Sequence, residues 1–147
     1  MSDLVTGGCA CGTIRYEVSE VPVFSWHCHC RDCQKATGTA YCAVSYIPQK
    51  AYSITGEATG YEVKAESGNW VKRWFCPKCG DNVFITAELV PDLRGIYVGS
   101  RDDPTLFKPR VEVWVDSKQP WDTLNPNMPL QPIANAPNEA QFEEICG

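Results

Sequence analysis

The sequence lacks an excess of basic residues, a long apolar run and any internal repeat. Lysine and arginine total 13 against 18 acidic residues, so the formal net charge is −5 at pH 7. A protein that neutralises many phosphates needs a basic face, and this charge balance therefore argues against general nucleic-acid binding. No stretch approaches the ~18 apolar residues that cross a bilayer, so no membrane-spanning helix is predicted.

The beginning of the sequence also lacks the pattern of a secretory signal. Residues 1–8 contain neither a basic segment nor an apolar core of the kind that directs secretion. We therefore expect a cytoplasmic protein whose thiols stay reduced. The length of 147 residues and the hydrophobic content of 44% suit a single domain over residues 1–147 that buries its own core.

Short runs with strand-type alternation dominate the chain. Ile14, Tyr16 and Val18 alternate with polar residues, as expected for a strand with one buried face. Similar runs elsewhere predict a mainly β domain of short antiparallel strands. The predicted strands cover residues 13–18, 21–26, 41–47, 51–55, 60–64, 70–75, 82–86, 96–99 and 110–115.

Helical patterns are few, and the C-terminal part of the chain is irregular. Residues 34–37 end at Gly38, a residue type that commonly terminates helices. Asn138 is placed to cap a second short helix over residues 139–145. Prolines recur within residues 117–147, which predicts an irregular tail that wraps the domain.

Nine cysteines are present, and their spacing is typical of metal sites rather than of disulfides. The number is odd, and most of the thiols fall in C-x-C and C-x-x-C groups. Cys9 and Cys11 lie in a glycine-flanked turn that can aim both sulfurs at one point. Cys76 and Cys79 lie between two predicted strands, so these four sulfurs are predicted to share one structural Zn²⁺.

A set of four thiolates leaves no open position for a substrate, so this first site is expected to stabilise the fold. A shared ion would join segments that are far apart in the sequence. Cysteine pairs without a metal and a thioredoxin-like redox pair are the alternatives. The redox alternative lacks support, because no βαβ pattern surrounds Cys76 and Cys79.

The densest cluster is His27-Cys28-His29-Cys30-Arg31-Asp32-Cys33. One bending segment can direct its three thiols toward a second Zn²⁺, whose fourth position would be open to water or substrate. A fourth protein ligand would instead close the site. The candidates for that ligand are His27, His29, Cys42 and Cys146.

Each of these four candidates has an argument against it. Alternate residues of an extended run point to opposite faces, so His27 and His29 are awkward partners for an ion bound by the cysteines beside them. Cys42 lies in an apolar run typical of a core thiol, and Cys146 lies next to the last residue of the sequence. We therefore favour an open site, with His29 either moving protons or acting as a hydrogen-bond partner.

An open zinc site can hold a bound thiol as a thiolate and can polarise a carbonyl group. Both properties suit the joining of a thiol to an aldehyde. The predicted catalytic residues are therefore Cys28, Cys30, Cys33 and His29.

Four motifs follow one another in a specific order along the chain. They are GGCACG at 7–12, CHCRDC at 28–33, FCPKCG at 75–80 and VWVDSK at 113–118, the last followed by Pro120-Trp121. This order resembles that of the glutathione-dependent formaldehyde-activating enzyme family, which also includes CENP-V. The resemblance runs from Gly7 to about Trp121.

The resemblance implies a β-tent zinc fold with two Zn²⁺ ions per chain. It implies a structural ion on Cys9, Cys11, Cys76 and Cys79, and a second, more labile ion on Cys28, Cys30 and Cys33. The implied activity is that of a carbon–sulfur lyase, which condenses formaldehyde with glutathione to S-hydroxymethylglutathione. A non-catalytic zinc module that binds a partner and a zinc or redox sensor are the alternative functions.

One position departs from the family pattern. Glu112 stands two residues before Trp114, where family members often carry histidine. Several basic groups could meet the carboxylates of glutathione. They are Lys35, Lys72, Arg73 and Arg110.

Overall fold

A computed structural model describes residues 5–147 of the chain. Two sheets of short strands and two short α-helices account for most of its regular structure, which confirms the mainly β prediction. The strands are β1 Val5–Gly8, β2 Arg15–Val18, β3 Phe24–Cys28, β4 Cys42–Pro48, β5 Tyr52–Thr55, β6 Thr59–Lys64, β7 Trp70–Phe75, β8 Asn82–Ala87, β9 Leu93–Tyr97 and β10 Val111–Val113. The α-helices are α1 Arg31–Thr37 and α2 Glu139–Cys146. Neither helix is long and apolar enough to cross a membrane.

The chain divides into two compact units. The first unit contains the described residues up to Val23 together with Ser45–Phe107. The second unit contains Phe24–Val44 and Lys108–Gly147. Because the units alternate along the chain, the organisation of residues 1–147 as a single domain stays a prediction.

The first unit is built from antiparallel pairs. Strand β2 lies between β1 and β5 in a three-stranded sheet, while β7 and β8 continue a ladder that runs from β6 to β9. Residues of β2 alternate between buried and exposed, and Tyr16 is 1% exposed. Its ring stacks on Tyr52 with centroids 5.3 Å apart. Ile14, Val83 and Cys76 are fully buried in the same core, so one predicted metal ligand belongs to the packed interior.

The second unit contains a parallel pair, and here the prediction of antiparallel strands is wrong. Strand β10 runs alongside β3, with Glu112 opposite His27 and Val113 opposite Cys28. Parallel neighbours need a long connection, which the residues between β3 and β10 provide. Helix α2 packs its Phe142 ring against Phe24 at 5.8 Å.

Both predicted helices are present. Helix α1 begins three residues before its predicted start and ends at Gly38, whose φ is 71°. Helix α2 begins after Asn138, which forms a capping box with Gln141. The end of α1 at Gly38 and the start of α2 at Asn138 depend on local hydrogen bonds, so the sequence alone could predict them.

One strand was not predicted from the sequence, and the bounds of several predicted strands differ from those observed. Strand β1 was missed because Gly7 and Gly8 indicated only a turn, although both pair with β2. A Cβ atom on Gly8 would lie 2.1 Å from the Ile14 carbonyl oxygen, so close strand approach requires glycine there. The strand predicted over 110–115 ends at Val113, because Trp114 adopts a left-handed φ of 60°. The strand predicted over 96–99 is β9, which ends where a 3-10 turn begins.

Candidate metal centres

The first cysteine cluster lies in the first unit, where two turns meet. Cys9 and Cys11 follow β1, while Cys76 and Cys79 lie in the turn between β7 and β8. Their four sulfur atoms lie within 4.8 Å of one another. The Cys11 sulfur is 3.6 Å from that of Cys9 and 3.7 Å from that of Cys76. A tetrahedron with Zn–S bonds of about 2.3 Å has edges of about 3.8 Å, so the sulfur spacing fits zinc.

Hydrogen bonds hold this cluster in shape. Backbone N–H groups of Ile14 and Lys78 donate to the sulfurs of Cys9 and Cys76, at 3.3 and 3.4 Å. The Asp81 carboxylate accepts the backbone N–H of Ala10 at 2.8 Å, which ties the two turns together. Amide donors around the sulfurs favour thiolates, the form that binds a metal ion.

The exposed Cys11 thiol of this cluster is acidified by its neighbours. Its side-chain and backbone hydrogen bonds with Thr13 lower the pKa of Cys11 to about 6. A thiol with this pKa is mostly thiolate at neutral pH and is therefore ready to bind Zn²⁺.

The second cluster lies in the second unit, at the junction of β3 and α1. Cys28 ends β3, Cys30 is the N-cap of α1, and Cys33 lies in its first turn. The three sulfur atoms lie within 4.8 Å of one another. The backbone N–H of Cys33 donates to the Cys30 sulfur at 3.3 Å, so one ligand also caps the helix.

The three thiols of this cluster crowd one another. Hydrogen bonding with Cys30 and Cys33, together with burial, raises the pKa of Cys28 well above its ordinary value. For Cys30, a hydrogen bond with Cys28 lowers the pKa, but the Cys33 thiol and burial outweigh it and raise the pKa to about 12. Packed thiols repel one another as thiolates, and a divalent cation would offset that repulsion. The donor set therefore fits a second Zn²⁺.

None of the proposed fourth ligands joins the three sulfurs within the described residues 5–147. Cys42 is 1% exposed on β4, which agrees with the prediction of a core thiol. Cys146 is exposed at the end of α2. Cys28 and Cys33 are buried, whereas Cys30 is partly exposed, so the cluster is most accessible on the Cys30 side.

His29 is fully buried and faces two acidic side chains. Its Nε2 lies 2.9 Å from Glu112 Oε1, which also lies 3.2 Å from Nδ1 of His27. Its Nδ1 lies 3.4 Å from Oδ2 of Asp122, without hydrogen-bond geometry. The second Glu112 oxygen accepts the backbone N–H of Asn125 at 2.7 Å. Glu112 therefore links His27 and His29 to Asn125 in the C-terminal tail.

The His27 ring lies between this acid and an aromatic ring. It stacks on Tyr41, with centroids 4.2 Å apart and planes inclined by 23°. Burial lowers the pKa of His27, and the hydrogen bond to Glu112 only partly opposes this effect. The histidines thus belong to a packed polar layer beside the cysteine cluster.

Two residues of this layer were missed by the sequence reasoning. Gln34 is 5% exposed, and its amide nitrogen donates to the carbonyls of His29 at 2.6 Å and Ser117 at 3.0 Å. Asp122 approaches His29 from the tail. Of these two residues, only Gln34 could have been suspected from the sequence, because it directly follows Cys33, the last cysteine of the CHCRDC motif.

The basic residues considered for glutathione recognition lie in different settings. Lys35 is exposed on α1, while the Lys72 ammonium lies 4.2 Å from the centroid of the Trp74 ring in the first unit. The Arg110 guanidinium donates to the Glu144 carbonyl at 3.4 Å. Their role toward a substrate stays a prediction.

Sequence comparison identifies the family. A family model described as "Glutathione-dependent formaldehyde-activating enzyme" matches residues 4–117, a range that includes both cysteine clusters. The chain belongs to this family. The family model thus confirms the resemblance for the glutathione-dependent formaldehyde-activating enzymes, while the likeness to CENP-V stays a prediction.

Two similar proteins share low sequence identity with this chain. A curated Penicillium rubens protein named "Putative glutathione-dependent formaldehyde-activating enzyme" is 26% identical over 114 residues. The match covers 74% of this chain and 59% of that relative's length. A crystal structure of a Rhodobacter sphaeroides protein is similar with a TM-score of 0.53 and 21% identity, covering 65% of this chain and 85% of that chain. The second likeness concerns the fold alone.

Proposed function

We propose that this protein is a zinc-dependent carbon–sulfur lyase that joins a small thiol, such as glutathione, to an aldehyde, such as formaldehyde. The convergence of Cys28, Cys30 and Cys33, with no fourth protein ligand among the described residues, is the observation that carries the proposal. Three protein ligands with an open position are typical of catalytic zinc sites. Membership of the family supports the choice of thiol and aldehyde.

The two clusters have different roles in this proposal. Cys9, Cys11, Cys76 and Cys79 form a complete four-sulfur set, so the first ion would stabilise the fold. The second cluster is the reaction site, and its more exposed ligand Cys30 marks the side from which substrates approach.

The overall reaction needs no oxidant or reductant. The thiol sulfur forms a bond to the carbonyl carbon, the carbon–oxygen π bond breaks, and the proton lost by sulfur ends on the new hydroxyl group. A Zn²⁺ ion held by the three cysteines would favour the thiolate form of an incoming thiol. Cys28, Cys30 and Cys33 would hold the ion at one position, so that an incoming thiol is oriented before it meets the aldehyde.

His29 is a positioning residue in this proposal, because its side chain is fully buried. Its backbone N–H donates to the Val113 carbonyl at 3.0 Å, and its carbonyl accepts from Gln34. Its ring is held by Glu112. These contacts keep the backbone between Cys28 and Cys30 rigid, as expected of groups that orient metal ligands.

Thiol binding to cobalt-substituted protein tests the proposal. Addition of glutathione should increase a sulfur-to-cobalt charge-transfer band, because the added thiolate occupies the open position. Cys30→Ser should abolish this increase, whereas Cys146→Ser, which changes an exposed cysteine outside both clusters, should retain it.

An unchanged spectrum at millimolar glutathione, with the second site loaded, would refute the proposal. The family member would then be better described as a non-catalytic zinc-binding module. Circular dichroism of each variant checks that the fold is retained.

A further inference from the structure

We infer that Arg31 is a specificity-determining residue that binds a carboxylate of the thiol substrate and so selects acidic thiols such as glutathione. The inference rests on the proposed function of the second cluster. Arg31 is exposed, and it follows Cys30 and precedes Cys33 by two positions in the chain. It was not among the basic residues that the sequence reasoning considered.

A buried amide holds the Arg31 side chain in place. The guanidinium donates through one terminal nitrogen to Oε1 of Gln34, which also accepts the Gln119 amide at 3.0 Å. The Gln34 nitrogen faces two carbonyl groups, which only accept hydrogen bonds. The orientation of the Gln34 amide is therefore determined by its partners, and its oxygen must face Arg31.

Among the residues that the structure describes, no acidic side chain pairs with Arg31. None of the carboxylates in residues 5–147 lies within 4.0 Å of the guanidinium. The amide partner orients the group but leaves its charge and its remaining N–H donors available. A guanidinium in this state can bind a carboxylate through two parallel hydrogen bonds.

Glutathione matches this arrangement in charge and length. It is a tripeptide with two carboxylates, and three residues span at most about 10 Å. A sulfur placed at the cysteine cluster therefore leaves a carboxylate within reach of a cation on the first turn of α1. Because Arg31 is already oriented by Gln34, less side-chain freedom is lost when the substrate binds.

The experiment compares glutathione with its diethyl ester, which keeps the thiol but removes both negative charges. Binding to zinc-loaded protein is measured by calorimetry at low ionic strength, where exposed charges are least screened. The natural protein should bind glutathione about tenfold more tightly than the ester. Arg31→Gln should remove this preference by weakening glutathione binding alone, and Arg31→Lys should restore part of it.

Two lysines serve as comparisons. Lys50→Gln makes the same charge change at an exposed position of the first unit and should keep the full preference. Lys35→Gln removes the other cation of α1, which is the competing candidate for this role, and so tests whether the preference depends on Arg31 rather than on Lys35. A preference that survives in Arg31→Gln, or that disappears in Lys35→Gln instead, would overturn the inference.

The inference and the proposed function fail in different ways. Equal binding of glutathione and its ester by the natural protein would overturn the role of Arg31 and leave the proposed function standing. Absence of binding for both thiols would overturn the proposed function, and the role of Arg31 with it.

Discussion

Glu112 shows how one buried carboxylate can organise a polar layer. It is 2% exposed and accepts hydrogen bonds through both oxygens, from two histidines and from a backbone N–H group. A buried acid is tolerated only when such partners replace water. Its position opposite His27 in the parallel pair brings it to the histidines. Direct contacts thus satisfy the buried carboxylate at this position.

Removal of this carboxylate should destabilise the protein. We expect Glu112→Ala to lower the free energy of unfolding by about 2–3 kcal/mol, because several donors lose their acceptor. Urea denaturation of the metal-loaded protein measures the change. The control is Glu17→Ala on an exposed position of β2, which should cost less than about 1 kcal/mol. Similar losses in both variants would contradict the assigned role of Glu112.

Tyr16 gives a prediction about alkaline pH. Burial raises its pKa to about 12, whereas tyrosine in an unfolded chain titrates near 10. Between these values the unfolded chain releases a proton that the folded protein keeps, so stability falls as pH rises from about 10 to about 12. The expected loss from this residue is about 2 kcal/mol at pH 12.

Urea denaturation between pH 9 and about pH 12 would measure this effect. Tyr16→Phe should flatten the decline, although it also removes the hydrogen bond to Ser100. Burial raises the pKa of Tyr52 as well, so part of the decline should remain. Tyr61→Phe, at a side chain that is 70% exposed, is the control. A profile for Tyr16→Phe that parallels the natural protein would contradict the prediction.

At the scale of structural elements, the two clusters differ in what they connect. The four-sulfur cluster joins the turn after β1 to the turn between β7 and β8. The three-sulfur cluster joins only the end of β3 to the helix that follows it. A metal ion in the first cluster restrains a much longer loop of the unfolded chain. Structural zinc sites can contribute on the order of 10 kcal/mol, comparable to the stability of a whole domain.

Serine substitutions should separate these roles. Cys76→Ser should unfold the protein, since Cys76 is fully buried in the core and belongs to the complete cluster. Cys30→Ser should leave the fold intact, because serine can replace the cysteine as N-cap of α1. Circular dichroism and thermal melting measure both outcomes, with a shift below about 5 °C expected for Cys30→Ser. Equal loss of structure in the two variants would contradict the division of roles.

At the scale of the whole molecule, two potential zinc sites lie in an acidic protein with a net charge of −5. We expect native mass spectrometry to find two zinc ions per chain. A mild chelator should remove one ion without loss of structure, because a competing ligand can enter the open three-sulfur site directly. Cys30→Ser should contain one ion from the start. Release of both ions together, and only on unfolding, would show that the second site is closed.

The sequence by itself determined which thiols belong together. Cys28, Cys30 and Cys33 are so close in sequence that one ion can bind all three, and this proximity does not depend on tertiary contacts. The alternation in β2 and the glycine at the end of α1 are equally local, because they depend on side-chain direction and backbone freedom within a few residues. The C-x-C and C-x-x-C spacings also predicted that Cys9, Cys11, Cys76 and Cys79 share one ion, and the family resemblance implied the same grouping.

Only the tertiary structure decided what surrounds the second cluster. Glu112 is 83 residues from His29 in sequence, and Gln119 is 85 residues from Gln34, yet both pairs are hydrogen-bonded. No local pattern encodes such contacts, since they depend on the parallel register of β10 with β3 and on the path of the C-terminal segment. The proposed role of Arg31 could not be predicted from the sequence for the same reason. The Gln34 amide that orients Arg31 also contacts Ser117 and Gln119, which come from a distant part of the chain.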